Sequence, residues 1–376
     1  MLGPVVLPGR DGVYELELLD GRIGAIRSST AQAGRLALPA FADLHVHADR
    51  AFARGPRPPR SLSDAIELVA EIKRGSTEEH MRVRALELLE RAHAHGSLRV
   101  RTHVDIDALV EERALRGVLA ARAELTGRVD VEIVAFATAL TDPSTPAGAR
   151  LLASAVDAGA DLIGSVPAFH SDPARSLEAT IDLAVALGID ADLHLDETVD
   201  PAGFHLEHLA DLTLERGLEG RVTASHCCAL ASVDETTALR TVEKVAAAGI
   251  TVIALPALNL YLEDRGEPTP RLRGITLVRE LVAAGVPVRF GSDNVGDVFY
   301  PYGDADPLEA AWLGGLTAHV DDEDVLLAAV CDGRMRIEEG APADLVLLDA
   351  NSTRDALARR PDGRTVVRGG EIVVDG

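Results

Sequence analysis

The sequence predicts an α/β protein, a (β/α)8 TIM barrel with a small β-sandwich formed by both chain termini. The first observation is a rhythm of short apolar runs and helix-period segments between about residues 39 and 294. Continuous apolar runs are typical of parallel strands that are buried on both faces. The second observation is that both ends of the chain alternate apolar and polar residues. A period of two is typical of antiparallel strands with one exposed face.

The terminal segments are the first predicted elements. Residues 12–28 alternate around an Asp-Gly pair, and residues 343–374 alternate around Asp-Gly and Gly-Gly pairs. Such pairs favour tight hairpin turns, so we expect both segments to meet in one β-sandwich. The predicted domain limits are residues 1–38 and 336–376 for the two parts of the sandwich and residues 39–335 for the barrel.

The barrel is predicted from eight strands and the helices between them. The predicted strands are Leu38–His47, Leu98–Val104, Val131–Ala137, Leu162–Val166, Ala191–Leu195, Val222–His226, Thr251–Leu255 and Val286–Phe290. The predicted helices include Ser61–Ala70, Glu79–Ala94, Leu109–Leu125, Ala147–Ala158, Ser176–Leu187 and Thr276–Ala284. Asn259 follows the seventh strand on a polar loop, for which solvent is the preferred interpretation and contact with a substrate the alternative. A doubly wound sheet is the alternative arrangement, but eight repeated units favour a closed barrel.

Composition and charge limit the class of partner. The chain has 376 residues, with 37 Lys and Arg against 60 Asp and Glu, and a formal net charge of −23. Such an acidic surface repels phosphate backbones and anionic lipid, which argues against nucleic-acid and membrane partners. Among the three cysteines, Cys227 and Cys228 are adjacent, so no disulfide framework is implied. We therefore expect a cytoplasmic protein without a signal peptide or a membrane span.

Histidines at the strand ends indicate a metal site. His45 and His47 lie two residues apart at the end of the first predicted strand, so they share one face. In a barrel, residues at the C-terminal ends of the strands meet in one pocket. The ends of strands five, six and eight supply further candidates, which are His194, Glu197, His226 and Asp293. Imidazoles with one carboxylate suit a divalent ion such as zinc or ferrous iron.

The strand ends, together with several other segments, resemble a known family. The segments are Arg101–Asp105, Ile133–Phe136, His194–Glu197, Thr223–His226, Arg273–Thr276 and Asp297–Pro301. Over nearly the whole chain the pattern resembles the amidohydrolase superfamily and, within it, the cytosine deaminase-like branch. The resemblance implies one divalent metal ion per chain, zinc or iron, with four ligands: His45, His47, His194 and Asp293. It also implies that Glu197 moves a proton to the substrate ring and that His226 lies against the reacting water.

The lysines bear on the number of metal ions. Two-metal members of the superfamily commonly bridge their ions with a carboxylated lysine on strand four. The chain has only two lysines, Lys73 and Lys244, and both lie in helical segments. Strand four instead ends at Ser165-Val166-Pro167. A lysine-bridged pair is therefore excluded, and the sequence predicts a single metal ion.

The substrate-binding residues are the positions where the chain departs from its resemblance. Members that act on cytosine have a glutamine where this chain has Thr138, and a hydroxyl presents a different hydrogen-bonding pattern on a shorter stem. Asn294 replaces a second aspartate, and Phe299 replaces a tryptophan. We predict that these three residues contact the substrate together with Phe136 and His103. For His103, a hydrogen-bonded support of strand one is the alternative.

The leading hypothesis is a mononuclear metal-dependent aminohydrolase. Metal-activated hydroxide would cleave a C–N bond of a small, neutral nitrogen heterocycle such as a pyrimidine, pterin or triazine-like ring. Glu197, His226 and Asp293 are its predicted catalytic residues, with Asp293 accepting the proton of the water. The alternatives are hydrolysis of a cyclic amide, release of an alkylamine from an aminotriazine, and a non-catalytic metal-binding barrel. The oligomeric state stays open, with a homo-oligomer as one outcome.

Overall fold

The computed structural model describes residues 1–32 and 34–376. Its strands are β1 (Leu2–Val6), β2 (Val13–Leu19), β3 (Arg22–Ser29), β4 (Arg35–Pro39), β5 (Phe41–Val46), β6 (Ser97–Ile106), β7 (Asp130–Ala137), β8 (Leu162–Ser165), β9 (Ala191–Leu195), β10 (Val222–His226), β11 (Thr251–Ala254), β12 (Val288–Phe290), β13 (Leu345–Leu348), β14 (Arg364–Arg368) and β15 (Glu371–Val374). Its α-helices are α1 (Leu62–Gly75), α2 (Glu78–Ala94), α3 (Arg113–Glu124), α4 (Pro146–Asp157), α5 (Pro173–Leu187), α6 (Leu206–Arg216), α7 (Glu235–Ala247), α8 (Pro256–Leu262), α9 (Val278–Ala283), α10 (Pro307–Thr317), α11 (Glu323–Val330) and α12 (Thr353–Arg359). Short 3-10 helices span Pro167–Phe169, Pro201–Gly203 and Cys228–Ala231. Within the two described ranges, no helix has both the length and the apolarity needed to cross a membrane.

Strands β5 to β12 form one eight-stranded parallel sheet in which each strand pairs with its neighbours in the chain. The sheet closes where the chain after β12 meets the end of β5. There the amide nitrogen of Asp293 donates to the carbonyl oxygen of His45 at 2.8 Å, and the amide of His47 donates to the carbonyl of Asp293 at 3.3 Å. The predicted (β/α)8 barrel is confirmed, and its closing seam lies at three of the predicted metal ligands.

Helix α5 illustrates how the local sequence forms the outer layer. Asp172 caps its N-terminus by accepting a hydrogen bond from the amide of Arg175 at 3.1 Å, and a proline begins the helix. Gly188 ends it in the left-handed conformation, with φ of 70°. Leu177 and Ile181 lie one turn apart on the buried face. The predicted start at Ser176 was too late because the Asp-Pro start signal lies one turn earlier.

The second sheet combines strands from both termini in the order β15-β14-β13-β4-β1-β2-β3. Its two ends fold toward each other, since Leu16 and Ile23 share a buried cluster with Leu345, Leu347 and Val367. The predicted sandwich of both termini is therefore confirmed. The domain limits at residues 38/39 and 335/336 stay a prediction.

One apolar run serves both sheets, which differs from the prediction. The sequence predicts a single strand over Leu38–His47, but β4 ends at Pro39 in the sandwich and β5 begins at Phe41 in the barrel. At the crossing, the amide of Ala40 donates to the carbonyl of Asp344, whereas the amide of Phe41 donates to the carbonyl of Gly96 beside β6. Hydrophobicity does not show which sheet a strand joins, so the run looks continuous.

Candidate active site at the carboxyl end of the barrel

The four predicted metal ligands converge at the barrel seam. His45 lies in β5 and His47 directly follows it, while His194 lies in β9 and Asp293 follows β12. The Nε2 atoms of His47 and His194 are 3.0 Å apart. Asp293 Oδ1 is 3.3 Å from His47 Nε2 and 3.8 Å from His45 Nε2. Each residue offers one ligand atom, and all four atoms lie within 4.8 Å of one another.

The chemistry of this donor set fits a divalent cation. Burial lowers the pKa of all three histidines well below its usual value, so the imidazoles are neutral, as metal ligands must be. His45 Nε2 and both carboxylate oxygens of Asp293 are buried and have no hydrogen-bond partner among residues 1–32 and 34–376. Burial also raises the pKa of Asp293 well above its usual value. A buried carboxylate of this kind is stabilised by a cation, and one cation would engage His45 Nε2 and one carboxylate oxygen of Asp293.

Two hydrogen bonds orient the paired histidines. His45 Nδ1 donates to Ser225 Oγ at 2.8 Å, and His47 Nδ1 donates to the carbonyl oxygen of His103 at 3.2 Å. Ser225 Oγ in turn donates to Asp192 Oδ1 at 3.4 Å. These contacts place the ring protons on Nδ1 and leave both Nε2 atoms facing the site.

The predicted catalytic residues lie beside the ligands. His226 Nε2 is 3.8 Å from Glu197 Oε2 and 3.9 Å from Asp293 Oδ2. Burial raises the pKa of Glu197 well above its usual value, and the neighbouring carboxylates of Asp293 and Glu263 raise it further. The carboxyl group of Glu197 is therefore suited to carry a proton at neutral pH. Burial lowers the pKa of His226 to about 3, so its imidazole is neutral.

Asn259 is a residue of the site for which the sequence favoured a solvated loop. The predicted solvated loop after strand seven is instead helix α8, which starts at Pro256 and buries Asn259. Asn259 Nδ2 donates to His226 Nδ1 at 3.1 Å, which places the imidazole proton on Nε2, facing Glu197 and Asp293. The proline directly after the strand is the one signal of a helix start in the sequence.

The backbone is strained at the same strand ends. Asp196, His226 and Asp293 have φ values of 55°, 68° and 59°. This left-handed conformation costs a non-glycine residue about 1–2 kcal/mol. The carboxylate of Asp196 accepts hydrogen bonds from the amides of His205 and Leu206, at 2.8 and 3.0 Å, which holds the turn that presents Glu197. The strained backbone thus directs the side chains of His226 and Asp293 toward the cavity, while at Asp196 it forms the turn before Glu197.

A cavity of about 250 Å³ opens onto these groups. Four of the five predicted substrate contacts line it, namely Thr138, Asn294, Phe299 and Phe136. His103 lies outside the lining. Its buried ring is 4.1 Å from the ring of His45, and its Nε2 is 3.1 Å from Asp192 Oδ1. The substrate contact at His103 stays a prediction, and its position against the ring of His45 agrees with the alternative, a support of the first barrel strand.

The polar substrate-binding candidates are held by carboxylates. Thr138 Oγ1 donates to Asp107 Oδ2 at 2.9 Å, and Asn294 Nδ2 donates to Asp297 Oδ2 at 2.6 Å. Phe299 lies under the guanidinium group of Arg50, 4.8 Å from the ring centre. The donor groups of Thr138 and Asn294 are therefore partly engaged within the protein.

Comparisons with known proteins agree with this geometry. The model of the amidohydrolase family matches residues 72–374. A pterin deaminase from Rhizobium rhizogenes is 35% identical over 384 residues, covering 98% of this chain and 85% of the relative. N-isopropylammelide isopropyl amidohydrolase from Pseudomonas is 27% identical over 417 residues, covering 98% of this chain and 95% of the relative. The crystal structure of 5-methylcytosine deaminase from Klebsiella pneumoniae, liganded with 5-fluorocytosine, matches with a TM-score of 0.91 at 31% identity and covers 99% of this chain and 97% of that chain.

Sequence, fold and site geometry thus lead to one assignment. The family match covers most of the barrel and the C-terminal strands, and both deaminases align with nearly the whole chain. The buried cluster of three histidines and one aspartate lies at the strand ends, where barrel enzymes hold their reacting groups. The chain belongs to the amidohydrolase family, in its cytosine deaminase-like branch.

Proposed function

We propose that this protein is a mononuclear metal-dependent deaminase of a small, neutral nitrogen heterocycle. The observation that carries the proposal is the placement of four ligand atoms within 4.8 Å of one another, beside Glu197 and His226, on one cavity. The ligands would be His45, His47, His194 and Asp293. When bound, a divalent cation lowers the pKa of water from about 16 toward about 7 and so supplies hydroxide.

The side chains account for the proton transfers. Asp293 takes a proton from the attacking water as the oxygen bonds to the ring carbon. Glu197, which its raised pKa keeps protonated, donates to the ring nitrogen next to that carbon. The Nε2–H of His226, fixed by Asn259, holds the incoming oxygen and steadies the developing charge. Asp293 then passes its proton to the exocyclic nitrogen, the C–N bond breaks and ammonia leaves. The hydroxyl proton moves to Glu197 as the carbon becomes a carbonyl, which restores both carboxyl groups.

The number and identity of the metal are part of this proposal. We propose one ion, because no lysine is present at the end of strand β8 to bridge a second one. That strand ends in Ser165, whose Oγ is hydrogen-bonded to Thr180 at 2.8 Å. Three imidazoles and one carboxylate suit zinc and iron alike. The cytoplasm is the proposed location, since Cys227, Cys228 and Cys331 are buried free thiols.

The volume and the lining of the cavity suit a substrate of one or two rings. Cavities for drug-sized ligands have about 300–1,000 Å³, so about 250 Å³ suits a smaller molecule. Phe136 and Phe299 offer apolar faces for a flat ring. The similarity to a pterin deaminase and to a 5-methylcytosine deaminase supports an aminopterin-like or aminopyrimidine ring. The similarity to N-isopropylammelide isopropyl amidohydrolase supports, as a second candidate, release of an alkylamine from an aminotriazine.

The test is elemental analysis followed by an ammonia assay on the same preparation. The panel holds pterin, cytosine, 5-methylcytosine and N-isopropylammelide, with isopropylamine measured for the last. We expect about one metal ion per chain and ammonia from a pterin or pyrimidine. Glu197→Gln should keep the metal and lose about 100-fold or more in rate, whereas the exposed Glu219→Gln should change neither. A metal-loaded chain that releases no amine from any compound contradicts the proposal.

A further inference from the structure

One face of helix α1 forms a wall of the active-site cavity. Leu62, Ile66, Val69 and Lys73 lie three or four residues apart, and all line the cavity. Helix α1 follows barrel strand β5, so it belongs to the connections at the active-site end of the barrel. Lys73 is the buried charged group on this face, whereas Glu67, which also lines the cavity, is exposed. Neither the metal site nor the proton transfers use Lys73.

Two carboxylates hold the ammonium group of Lys73 in place. Lys73 Nζ lies 2.5 Å from Asp105 Oδ2 and 2.9 Å from Asp107 Oδ2. Asp107 is itself fixed, because its Oδ1 accepts from the amides of Leu109 and Val110 at 2.8 and 3.2 Å. Burial alone would lower the pKa of Lys73, but the two carboxylates raise it above its usual value. The side chain is therefore a fixed cation at neutral pH.

Lys73 keeps a hydrogen-bond donor that its neighbours do not use. An ammonium group has three N–H donors. One of them donates to Asp107 Oδ2, while the contact with Asp105 Oδ2 is an ion pair without hydrogen-bond geometry. No third acceptor contacts Nζ in the part of the chain that the structure describes. At the same end of the cavity, the hydroxyl of Thr138 donates to Asp107 and accepts from the amide of Leu140 at 3.3 Å. Lys73 is thus better placed than Thr138 to donate to a substrate.

We propose that Lys73 recognises a neutral ring carbonyl of the substrate by donating its remaining N–H, so that the enzyme prefers oxo-substituted aminoheterocycles. This inference rests on the proposed function, because it concerns the same cavity. Lys73 on helix α1 would then make the polar contact with the substrate that the sequence predicts for Thr138.

Charge balance favours a carbonyl oxygen over an anionic group. Arg50 lies 2.9 Å from Asp105 Oδ1 and also faces the buried side chains of Asp49 and Asp297, so this corner holds more carboxyl groups than cations. A carboxylate on the substrate would add a buried charge without a partner, which is costly. A neutral oxygen accepts the hydrogen bond and leaves the balance unchanged.

The test compares substrates that differ only in the oxo group. Cytosine is paired with the aminopyrimidine that lacks its oxygen, pterin with the corresponding aminopteridine, and each with a carboxylate analogue. For the wild-type chain we expect the oxo compound to be preferred. Lys73→Met should reduce that preference, measured as the ratio of kcat/KM values, by about 10- to 100-fold. Because both rates come from one preparation, the ratio does not depend on the folded fraction.

Matched variants and a binding assay separate the outcomes. Lys73→Gln keeps a neutral donor and should give an intermediate ratio, and it replaces Lys73→Met if that variant does not fold. Lys244→Met, on the surface beside Asp211 at 2.8 Å, should leave the ratio unchanged. Equilibrium binding of each pair to metal-loaded Glu197→Gln, with and without Lys73→Met, needs no turnover. Absence of turnover therefore contradicts the proposed function alone. An unchanged preference in both Lys73 variants, or preference for the carboxylate analogue, overturns the role of Lys73.

Discussion

The cavity has two sides that are built differently. The metal side comes from the ends of β5, β9, β10 and the segment after β12, where the sheet fixes each side chain. The other side, here called the recognition side, consists of Lys73 on α1, Asp105 near the end of β6, Asp107 directly after β6, and Thr138 directly after β7. The parallel sheet makes the first side a rigid template, whereas the second depends on a helix and loops. Under the proposed function, the substrate can change through the second side while the first side keeps the chemistry.

The largest expected effect is the loss of metal binding when one ligand is removed. His194→Ala should lower metal affinity by more than about 100-fold and abolish amine release, because the remaining imidazoles no longer enclose the ion. Metal content after dialysis and the ammonia assay measure this. His208→Ala, on the surface 3.3 Å from Glu178, is the matched control and should keep full metal content. Normal metal content in His194→Ala would contradict the assigned ligand set.

A substitution on the recognition side is expected to lower the free energy of unfolding without loss of metal. Asp107→Asn removes one charge from the buried pair with Lys73 and leaves the ammonium undercompensated. We expect a loss of about 3–5 kcal/mol in the free energy of unfolding, measured with urea, at unchanged metal content. Asp211→Asn, which weakens the surface pair with Lys244, should cost at most about 1 kcal/mol. Loss of metal in Asp107→Asn would show that the two sides are not separable.

The pH dependence of stability tests the electrostatics around the metal side. Burial raises the pKa of Glu263 from 4.5 to about 7, and this carboxyl also raises the pKa of Glu197. Between pH 4.5 and about 7, Glu263 has lost its proton in the unfolded chain but keeps it in the folded chain. The contribution of Glu263 to the free energy of unfolding is therefore fully present below pH 4.5 and is lost as the pH rises through about 7.

Glu263→Gln removes that slope, so it should stabilise the protein relative to wild type at pH 8 and not at pH 4.5, by up to about 3 kcal/mol. Urea unfolding at several pH values measures the difference, in which the other titrating groups largely cancel. Equal pH profiles for the two chains would show that Glu263 titrates normally.

The smallest expected effect concerns the support of His45. Ser225→Ala removes the acceptor for His45 Nδ1 and should weaken metal binding about 10-fold, as chelator competition would show. Ser165→Ala, at the end of β8, loses a hydrogen bond to Thr180 instead and should not change metal affinity. If both serines behave alike, the orientation of His45 does not depend on Ser225.

The same contrast explains what the sequence could predict. Strands β9 and β10 match their predicted limits, and the His-x-His pair required only the two-residue period of a strand. Lys73 was placed in a helix, but nothing local indicates that it meets Asp107, 34 residues away. Asn259 was assigned to solvent because a short helix after a strand has too few residues to show a period. Residues on strands inherit their neighbours from the sheet, whereas residues on helices and loops acquire theirs from tertiary packing.

The hydrogen bonds between Asp293 and the His45 and His47 backbone have a consequence for stability. They mark the place where the first and last barrel strands meet, and these residues are roughly 250 positions apart in the sequence. A cation held by His45 and Asp293 would bind the folded chain and not the unfolded one, because the unfolded chain does not bring these ligands together. By mass action, such an ion stabilises the folded state by about 4 kcal/mol at a free concentration of about 1,000 times its Kd. The ion that serves catalysis would then also hold the first and last barrel strands together.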